Sequence, residues 1–245
     1  MSHNLQIKEG AFVISDAHYS PERPELLEFI KAIHSKQLQP TQLFLMGDIF
    51  DALFGSIDHT YKDNIKMIEL IQEIAREIEV IYFEGNHDFN LKAVFENIQI
   101  FTIKQQPVLC SFEDKKVYLA HGDFDAPLGY QIYTAFIRNP LILKILKPLD
   151  NLFNHFILNF VDNHLKKKDD CKELDWFDGF IKNRFQNRYE CDYFIEGHFH
   201  QNKTIALEKM SYINLGAFAC NQRYFIVKSL QANEILQEQQ FCKGN

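Results

Sequence analysis

No uninterrupted apolar stretch in this chain of 245 residues is long enough to cross a bilayer as a helix. Nor is there a surplus of basic side chains: 26 Lys and Arg stand against 33 Asp and Glu, a net charge of −7 with His neutral. That balance excludes broad, non-specific binding to nucleic acid, which needs a basic surface. It leaves room for an anionic substrate wherever bound cations supply local positive charge. Tryptophan is nearly missing, with 1 copy against 23 Phe. Phenylalanine therefore supplies most of the aromatic core, with some left to line an apolar groove. The five cysteines, at 110, 171, 191, 220 and 242, include no CxxC pair and are odd in number. Reduced, mostly buried thiols of a cytosolic protein are the expectation. The first residues, Met1-Ser2-His3-Asn4-Leu5-Gln6-Ile7-Lys8, lack the charged and apolar regions of a signal peptide. The expected location is cytoplasmic, with contact at a membrane surface left open.

One large domain fits this length, with room for an inserted subdomain. Apolar content of 46% and charged content of 24% are ordinary for a globular protein with a real core. Ala11–Ser15, Leu43–Met46 and Val80–Phe83 are short apolar runs that read as buried strands. Between them, Pro24–Ser35 and Asn64–Ile78 carry apolar residues at helical spacing. Pro24 stands near the start of the first. Ile65, Ile68, Ile71, Ile74, Ala75 and Ile78 fall on one face of the second. A βαβαβ start predicts parallel strands with ligands at their carboxyl ends.

Closely spaced strand-like runs follow at Ile98–Ile103, Pro107–Phe112 and Lys116–Ala120. The texture returns in Tyr193–Ile195, Lys203–Leu207, Ser211–Leu215, Tyr224–Lys228 and Glu234–Leu236. These runs predict a second, more antiparallel sheet packed on the first. The expected fold class is α/β, a two-sheet mixed β-sandwich flanked by helices. Residues 128–187 read as a helical insertion into one domain spanning 1–245. Its stretch Tyr133–Val161 is rich in Phe, Leu and Ile, and Pro140 and Pro148 divide it into short helices. Lys166-Lys167-Lys168 follows, and two readings stand for it: a solvated helix face or a contact for phosphates.

Five clusters of Asp, Asn and His carry the chemistry. They are Asp16-Ala17-His18, Gly47-Asp48-Ile49-Phe50-Asp51, Gly85-Asn86-His87-Asp88, His121-Gly122-Asp123 and Gly197-His198-Phe199-His200. Oxygen and imidazole donors delivered at several strand ends suit hard and borderline divalent ions. Asp16 and His18 can face one ion. Asp48 can bridge two ions about 3.5–4 Å apart; standing alone it would read as a helix N-cap. Gly85 permits a tight turn, and Asn86 offers a neutral oxygen. His87 can turn toward substrate, with Asp88 fixing its tautomer and charge. His198 and His200 can each reach one ion if the chain bends at Gly197. His3, His34, His59, His155 and His164 have no such setting and read as surface or packing residues. A pair of cations suits the hydrolysis of a phosphate ester or anhydride. His87 and Asp88 are the expected catalytic pair, the imidazole donating a proton to the leaving oxygen or a hydrogen bond to the phosphoryl group.

In order and spacing these clusters resemble the calcineurin-like metallophosphoesterase superfamily over most of the chain. The resemblance implies Asp16, His18 and His200 on one metal, Asn86, His121 and His198 on the other, and Asp48 between them. Manganese is the metal in many members, so two divalent ions, Mn2+ by expectation, are the implied cofactors.

A narrower resemblance follows His121. Gly129-Tyr130-Gln131 … Phe136-Ile137-Arg138-Asn139-Pro140 and the late Asn214-Leu215-Gly216-Ala217-Phe218 are similar to segments of the UDP-2,3-diacylglucosamine hydrolases of lipid A synthesis. That likeness implies cleavage of the pyrophosphate of UDP-2,3-diacylglucosamine to UMP and the diacylated sugar 1-phosphate. It also implies an insertion that caps the metals and holds acyl chains, as an apolar groove beside a metal site would allow. The implied substrate contacts are Asn86, His87, Tyr133, Phe136, Arg138, Lys166 and Lys167, with peripheral contact at the inner membrane. The chain departs from the pattern in three places. Relatives carry Arg where His87 stands, paired acids where Ala126-Pro127-Leu128-Gly129 stands, and Asp where Ala217 stands. The alternative is a metallophosphodiesterase or nucleotidase of the same superfamily with a soluble substrate. A non-catalytic scaffold would be expected to have lost ligands, and here every one is present.

Overall fold

The computed structural model describes residues 5–55, 57–127, 129, 134, 138, 139, 171–229 and 234–241. In chain order its elements are β1 (Leu5–Gln6), β2 (Phe12–Ile14), α1 (Glu25–His34), β3 (Gln42–Leu45), β4 (Leu53–Phe54), α2 (Asp58–Ile74), β5 (Glu79–Phe83), β6 (Asp88–Phe89), β7 (Gln99–Phe101), β8 (Val108–Phe112) and β9 (Lys115–Ala120). Then come α3 (Phe177–Phe185), which lies within the span 128–187 read as the insertion, β10 (Tyr193–Glu196), β11 (Lys203–Ala206), β12 (Ser211–Asn214), the short α4 (Phe218–Asn221), β13 (Arg223–Val227) and β14 (Leu236–Gln240).

A strand covered on both faces must be apolar at nearly every position, and two six-stranded sheets are built on such strands. The first runs β14-β13-β2-β3-β5-β7 and the second β1-β8-β9-β10-β12-β11. Successive residues of each central strand serve different layers. Phe12, Ile14, Leu43, Leu45, Val80 and Tyr82 point outward and pack under α1 and α2. Val13, Phe44 and Ile81 point inward and meet Val117, Leu119 and Ile195 of the other sheet. On the far side, Ala120, Phe194 and Tyr212 are covered by Phe177, Ile181 and Phe185 of α3. The result is the mixed α/β sandwich flanked by helices that the sequence predicts.

Sheet membership differs from expectation. β7, β13 and β14 belong to the first sheet, not the second. The middle of the second sheet is parallel: β9 pairs with β10 and β10 with β12 in that sense, while β8 and β11 are antiparallel. A parallel pair needs a crossover of a dozen residues or more, and the chain between β9 and β10 supplies one. Local strand texture carries no trace of this.

The helices follow their stripes. α1 has Glu25 and Glu28 in its first turn and Lys31 and His34 in its last, which suits the helix dipole. α2 begins at Asp58 rather than Asn64 and ends at Ile74 rather than Ile78. Its buried stripe is Thr60, Asn64, Met67, Ile68, Ile71 and Ile74; Ile65 is 39% exposed. Met67 takes the place that the isoleucine pattern gave to Ile65. His34 and His59 sit on the surface beside Glu73 and Asp63.

Cys110 and Cys191 are buried free thiols. Cys171 and Cys220 are not reduced as expected; a disulfide joins them across 49 residues of sequence. Cys242 lies outside the described residues, as do Tyr133, Phe136, Pro140, Pro148, Lys166, Lys167 and Lys168 of the insertion. Among the described residues no helix is long and apolar enough to cross a membrane.

Phe44→Ala removes a fully buried ring between the sheets and should destabilise the protein by about 3–5 kcal/mol. Ile65→Ala, on the solvent side of α2, should change stability by less than about 0.5 kcal/mol. Urea unfolding followed by circular dichroism reads both; equal losses would contradict the placement of Ile65.

Candidate metal centre

Five parallel strands end at one rim. β2, β3 and β5 of the first sheet run into Asp16, Asp48 and Asn86, and β9 and β10 of the second run into His121 and His198. Carboxyl ends of parallel strands are where open α/β sheets place their ligands. Backbone bonds lace the loops together: Asp16 N–H donates to Gly47 O at 3.1 Å, His18 N–H to Asp48 O at 2.9 Å and Gly197 N–H to His121 O at 2.8 Å.

The local backbone is unusual. Asp16, His18, Asp48, His198 and His200 all have left-handed φ, between 45° and 64°. Side chains other than glycine rarely adopt this region, and residues held there cluster at functional sites. The bend expected at Gly197 is thus made by the two histidines themselves. Gly47, at φ 88°, packs so tightly that a Cβ would stand 2.4 Å from His121 Nδ1.

Three trios of donors result. Asp16, His18 and His200 form one, Asp48, His121 and His198 a second, and His18, Asp51 and His87 a third, each with donor atoms within 4.8 Å of one another. His200 Nε2 lies 3.0 Å from Asp16 Oδ1. His121 Nε2 lies 3.4 Å from Asp48 Oδ2. The His198 N–H donates to Asp16 Oδ2 at 3.0 Å and so ties the first two together. His121 Nδ1–H donates to Met46 O at 2.9 Å, which fixes the tautomer and turns Nε2 inward, the usual support of a ligating imidazole. Asn86 Oδ1 is buried with no hydrogen-bond partner among the described residues. A buried acceptor without a donor is costly, and a cation answers it. Carboxylate, amide and imidazole donors together fit divalent metal.

Electrostatics agrees. Burial alone would raise both carboxyls, but the facing imidazoles outweigh it. His200 brings Asp16 down to about 2, and His121 and His87 hold Asp48 well below the ordinary range. Burial would lower His121, yet Asp48 lifts it well above the usual imidazole value. Burial, with His121 alongside, pushes His198 down to about 3.

Asp88 does not attend His87. It is fully buried, and its carboxylate accepts from the backbone N–H groups of Asp48 at 3.0 Å, Ile49 at 2.7 Å, Phe50 at 3.3 Å and Gly85 at 3.0 Å. The Tyr82 hydroxyl donates a fifth bond at 2.5 Å. Asp88 is part of the frame. The group beside the His87 ring is Asp51: its carbonyl accepts from His87 Nδ1 at 2.9 Å. Its Oδ1 lies 3.9 Å from that nitrogen and 3.6 Å from His18 Nδ1. Asp51 thus faces both a candidate ligand and the candidate catalytic histidine, whose rings meet edge to face at 4.6 Å. The sequence shows Asp51 in the second cluster but not its reach.

Of the expected substrate contacts, Asn86, His87 and Arg138 are described and stand at this rim. Arg138 Nη2 donates to Gly85 O at 2.8 Å. The late stretch seats the site from behind: the Phe218 and Ala219 N–H groups donate to Ser15 O and Asp16 O. Asn214 Oδ1 accepts from Gln201 N–H at 2.7 Å. Sequence reasoning missed Arg184. Its guanidinium, 6% exposed, binds Glu196 and Asp125. It also donates to Gly122 O at 3.1 Å, so one side chain clamps the loops of His121 and His198. The signal lay in its position: with Phe177, Ile181 and Phe185 it falls on the buried stripe of α3.

Because His121 sits above its usual pKa, the metal-free site holds a proton that an ion must displace. Affinity for Mn2+ should therefore rise with pH, about tenfold per pH unit for each proton released, while His121 is still protonated in the free protein. Competition titrations of chelator-stripped protein at several pH values measure this; a flat profile would contradict the ion pair. Asp88→Asn puts donors against donors and should cost about 1–3 kcal/mol of stability, read by urea unfolding; an unchanged midpoint would refute the framing role.

The family model for calcineurin-like phosphoesterases matches residues 11–202. A UDP-2,3-diacylglucosamine hydrolase of Coxiella burnetii (strain Dugway 5J108-111) is 28% identical over 139 residues, 56% of this chain and 57% of that protein. One of the same name from Aliivibrio fischeri is 23% identical over 164 residues, 66% of this chain and 68% of that protein. The chain thus matches little more than half the length of the first of these relatives. The solved structure of Yfce, a phosphoesterase from E. coli, superposes on 89% of this chain and 88% of its own at 14% identity, with a TM-score of 0.46, too distant to argue from. The span matched by the family model holds all five ligand clusters, and the chain belongs to the calcineurin-like phosphoesterase family.

Proposed function

We propose that this chain is a metal-dependent hydrolase that cleaves the pyrophosphate of UDP-2,3-diacylglucosamine, releasing UMP and 2,3-diacylglucosamine 1-phosphate. The observation that carries the hydrolase reading is the first two donor trios meeting at one rim with the orphaned Asn86 oxygen between strand ends. The substrate is supported by the names of the relatives, which the chain matches over part of their length, and by the insertion sequence.

Asp16, His18 and His200 would hold one divalent ion, Asn86, His121 and His198 a second, and Asp48 would serve both. When bound, such a pair lowers the pKa of a water and neutralises phosphoryl charge, chemistry that manganese supplies well. The chain's own residues do the rest. Asp88 and Tyr82 hold the Asp48 backbone from behind. His87, with Nδ1–H given to Asp51 O, presents Nε2. Through that atom the imidazolium form donates to a phosphoryl oxygen or to the departing oxygen. A sugar 1-phosphate leaves readily, so the hydrogen bond matters more than the proton.

A lipid substrate calls for the insertion to cover an acyl chain and for the protein to work at the cytoplasmic face of the inner membrane. The insertion contacts Tyr133, Phe136, Lys166 and Lys167 belong to this proposal. A second reading, a phosphodiesterase or nucleotidase with a soluble substrate, is favoured by Ala126-Pro127-Leu128-Gly129, where the lipid-sugar hydrolases carry paired acids.

Manganese-loaded protein should release UMP from detergent-dispersed UDP-2,3-diacylglucosamine. Asp48→Ala and His121→Ala should abolish release, and His87→Ala should lower kcat by about 10²–10³-fold. Turnover of unacylated nucleotides without UMP release from the lipid would establish the second reading instead.

A further inference from the structure

The bridge between Cys171 and Cys220 ties two segments together, and each segment is seated on a ligand of the same candidate ion. Cys220 belongs to α4. The first two residues of that turn, Phe218 and Ala219, donate their N–H groups to Ser15 O at 2.9 Å and Asp16 O at 3.1 Å. Cys171 lies in the insertion span ahead of α3, and the residues after it are held by Gln201. Gln201 Nε2 donates to Lys172 O at 3.1 Å, and its Oε1 accepts from Leu174 N–H at 2.8 Å. Gln201 is buried and follows His200 directly. Asp16 and His200 face each other at 3.0 Å. The bridge therefore closes a circuit that runs from Asp16 through α4, the two sulfurs and Gln201 to His200 and back. Cys110 and Cys191 are free, so among the described residues no like tie reaches Asn86, His121 or His198.

The pair is open to reagents. Cys171 is exposed and Cys220 half-buried. A cavity of about 370 Å³ adjoins both and is lined as well by Ala17, between the ligands Asp16 and His18, and by Arg23. Exposed disulfides are the ones that exchange readily, and a nearby cation favours a departing thiolate. The other described cysteines are shut out of such chemistry. Burial pushes the Cys110 thiol up to about 12 and the Cys191 thiol up to about 11, and a thiol is not the nucleophile.

We propose that Cys171–Cys220 is a reversible thiol–disulfide site that sets the affinity of the ion held by Asp16, His18 and His200, with a dithiol reductant as its reaction partner. A thiolate of the reductant attacks Cys171 Sγ. The S–S bond breaks, a mixed disulfide forms and Cys220 leaves as a thiolate. The second thiolate of the reductant then displaces Cys171 and closes the reductant's own disulfide. Two electrons pass to the protein, and the two protons of the reductant end on Cys171 and Cys220. After reduction, hydrogen bonds alone join α4 to Asp16 and the Cys171 segment to Gln201. The proposal rests on the metal-hydrolase reading and deepens it by naming a control on one of its two ions.

The test uses Mn2+ alone as probe. Protein is oxidised, or reduced with dithiothreitol, freed of reagent without air and titrated with Mn2+, the free ion being read by electron paramagnetic resonance. Thiol counting should find two more thiols in the reduced form. Reduction should weaken one ion about tenfold and leave the other within about twofold, since supports behind a ligand set metal affinity on that scale. The responsive ion should be missing from His200→Ala and retained in His121→Ala. A variant carrying both Cys171→Ser and Cys220→Ser should bind like the reduced protein under either treatment. Equal affinities in the two redox states would overturn the proposal. So would equal weakening of both ions, which would make the bridge a staple of the whole fold, or a redox response that persists in the double variant. Wild-type protein that binds fewer than two ions in both states would count against the hydrolase reading itself, so the two failures are told apart.

Discussion

The carboxylate of Asp88 is the knot on which this site depends. It gathers four backbone N–H groups from two loops, three after β3 and one after β5, and a tyrosine hydroxyl closes the set. Strand ends leave such groups unsatisfied, and in a buried setting they must be paired. By taking them from behind, Asp88 turns the Asp48 side chain toward the rim, where the His87 N–H meets its Oδ1 at 2.8 Å. The residue that looks catalytic in the sequence is thereby the one that frames its neighbours.

A second constraint comes from the facing sheets. Each contributes parallel strands that end at the same edge of the sandwich, and Arg184 fastens α3 to the two loops of the second sheet. Apolar residues on alternate sides of each strand hold the layers in register. The candidate ligands are delivered by strands of the core, which bring the side chains together at the rim.

Much of this was legible in one dimension. The five clusters, the strand before nearly every one and the stripe of α1 all stand in the sequence because periodicity and strand ends leave local marks. What was not legible is non-local. Asp51 touches His18 and His87 only because β4 lies beside β6. β7 and β13 join the first sheet through pairings that their own composition does not encode. Cys171 meets Cys220 across 49 residues. The early start of α2 was hidden because Thr60 and Asn64, both polar, belong to its buried face and hydrogen-bond backbone carbonyls there.

The left-handed backbone at five of the candidate ligands bears on how such a site ages. Any residue that replaced Asp16, His18, Asp48, His198 or His200 would inherit a main-chain shape that most side chains resist. Glycine, asparagine and aspartate tolerate it; β-branched residues do not. A descendant that gave up its metals would therefore drift toward glycine and asparagine at these positions, leaving an imprint of the lost centre in its choice of small residues long after the chemistry had gone.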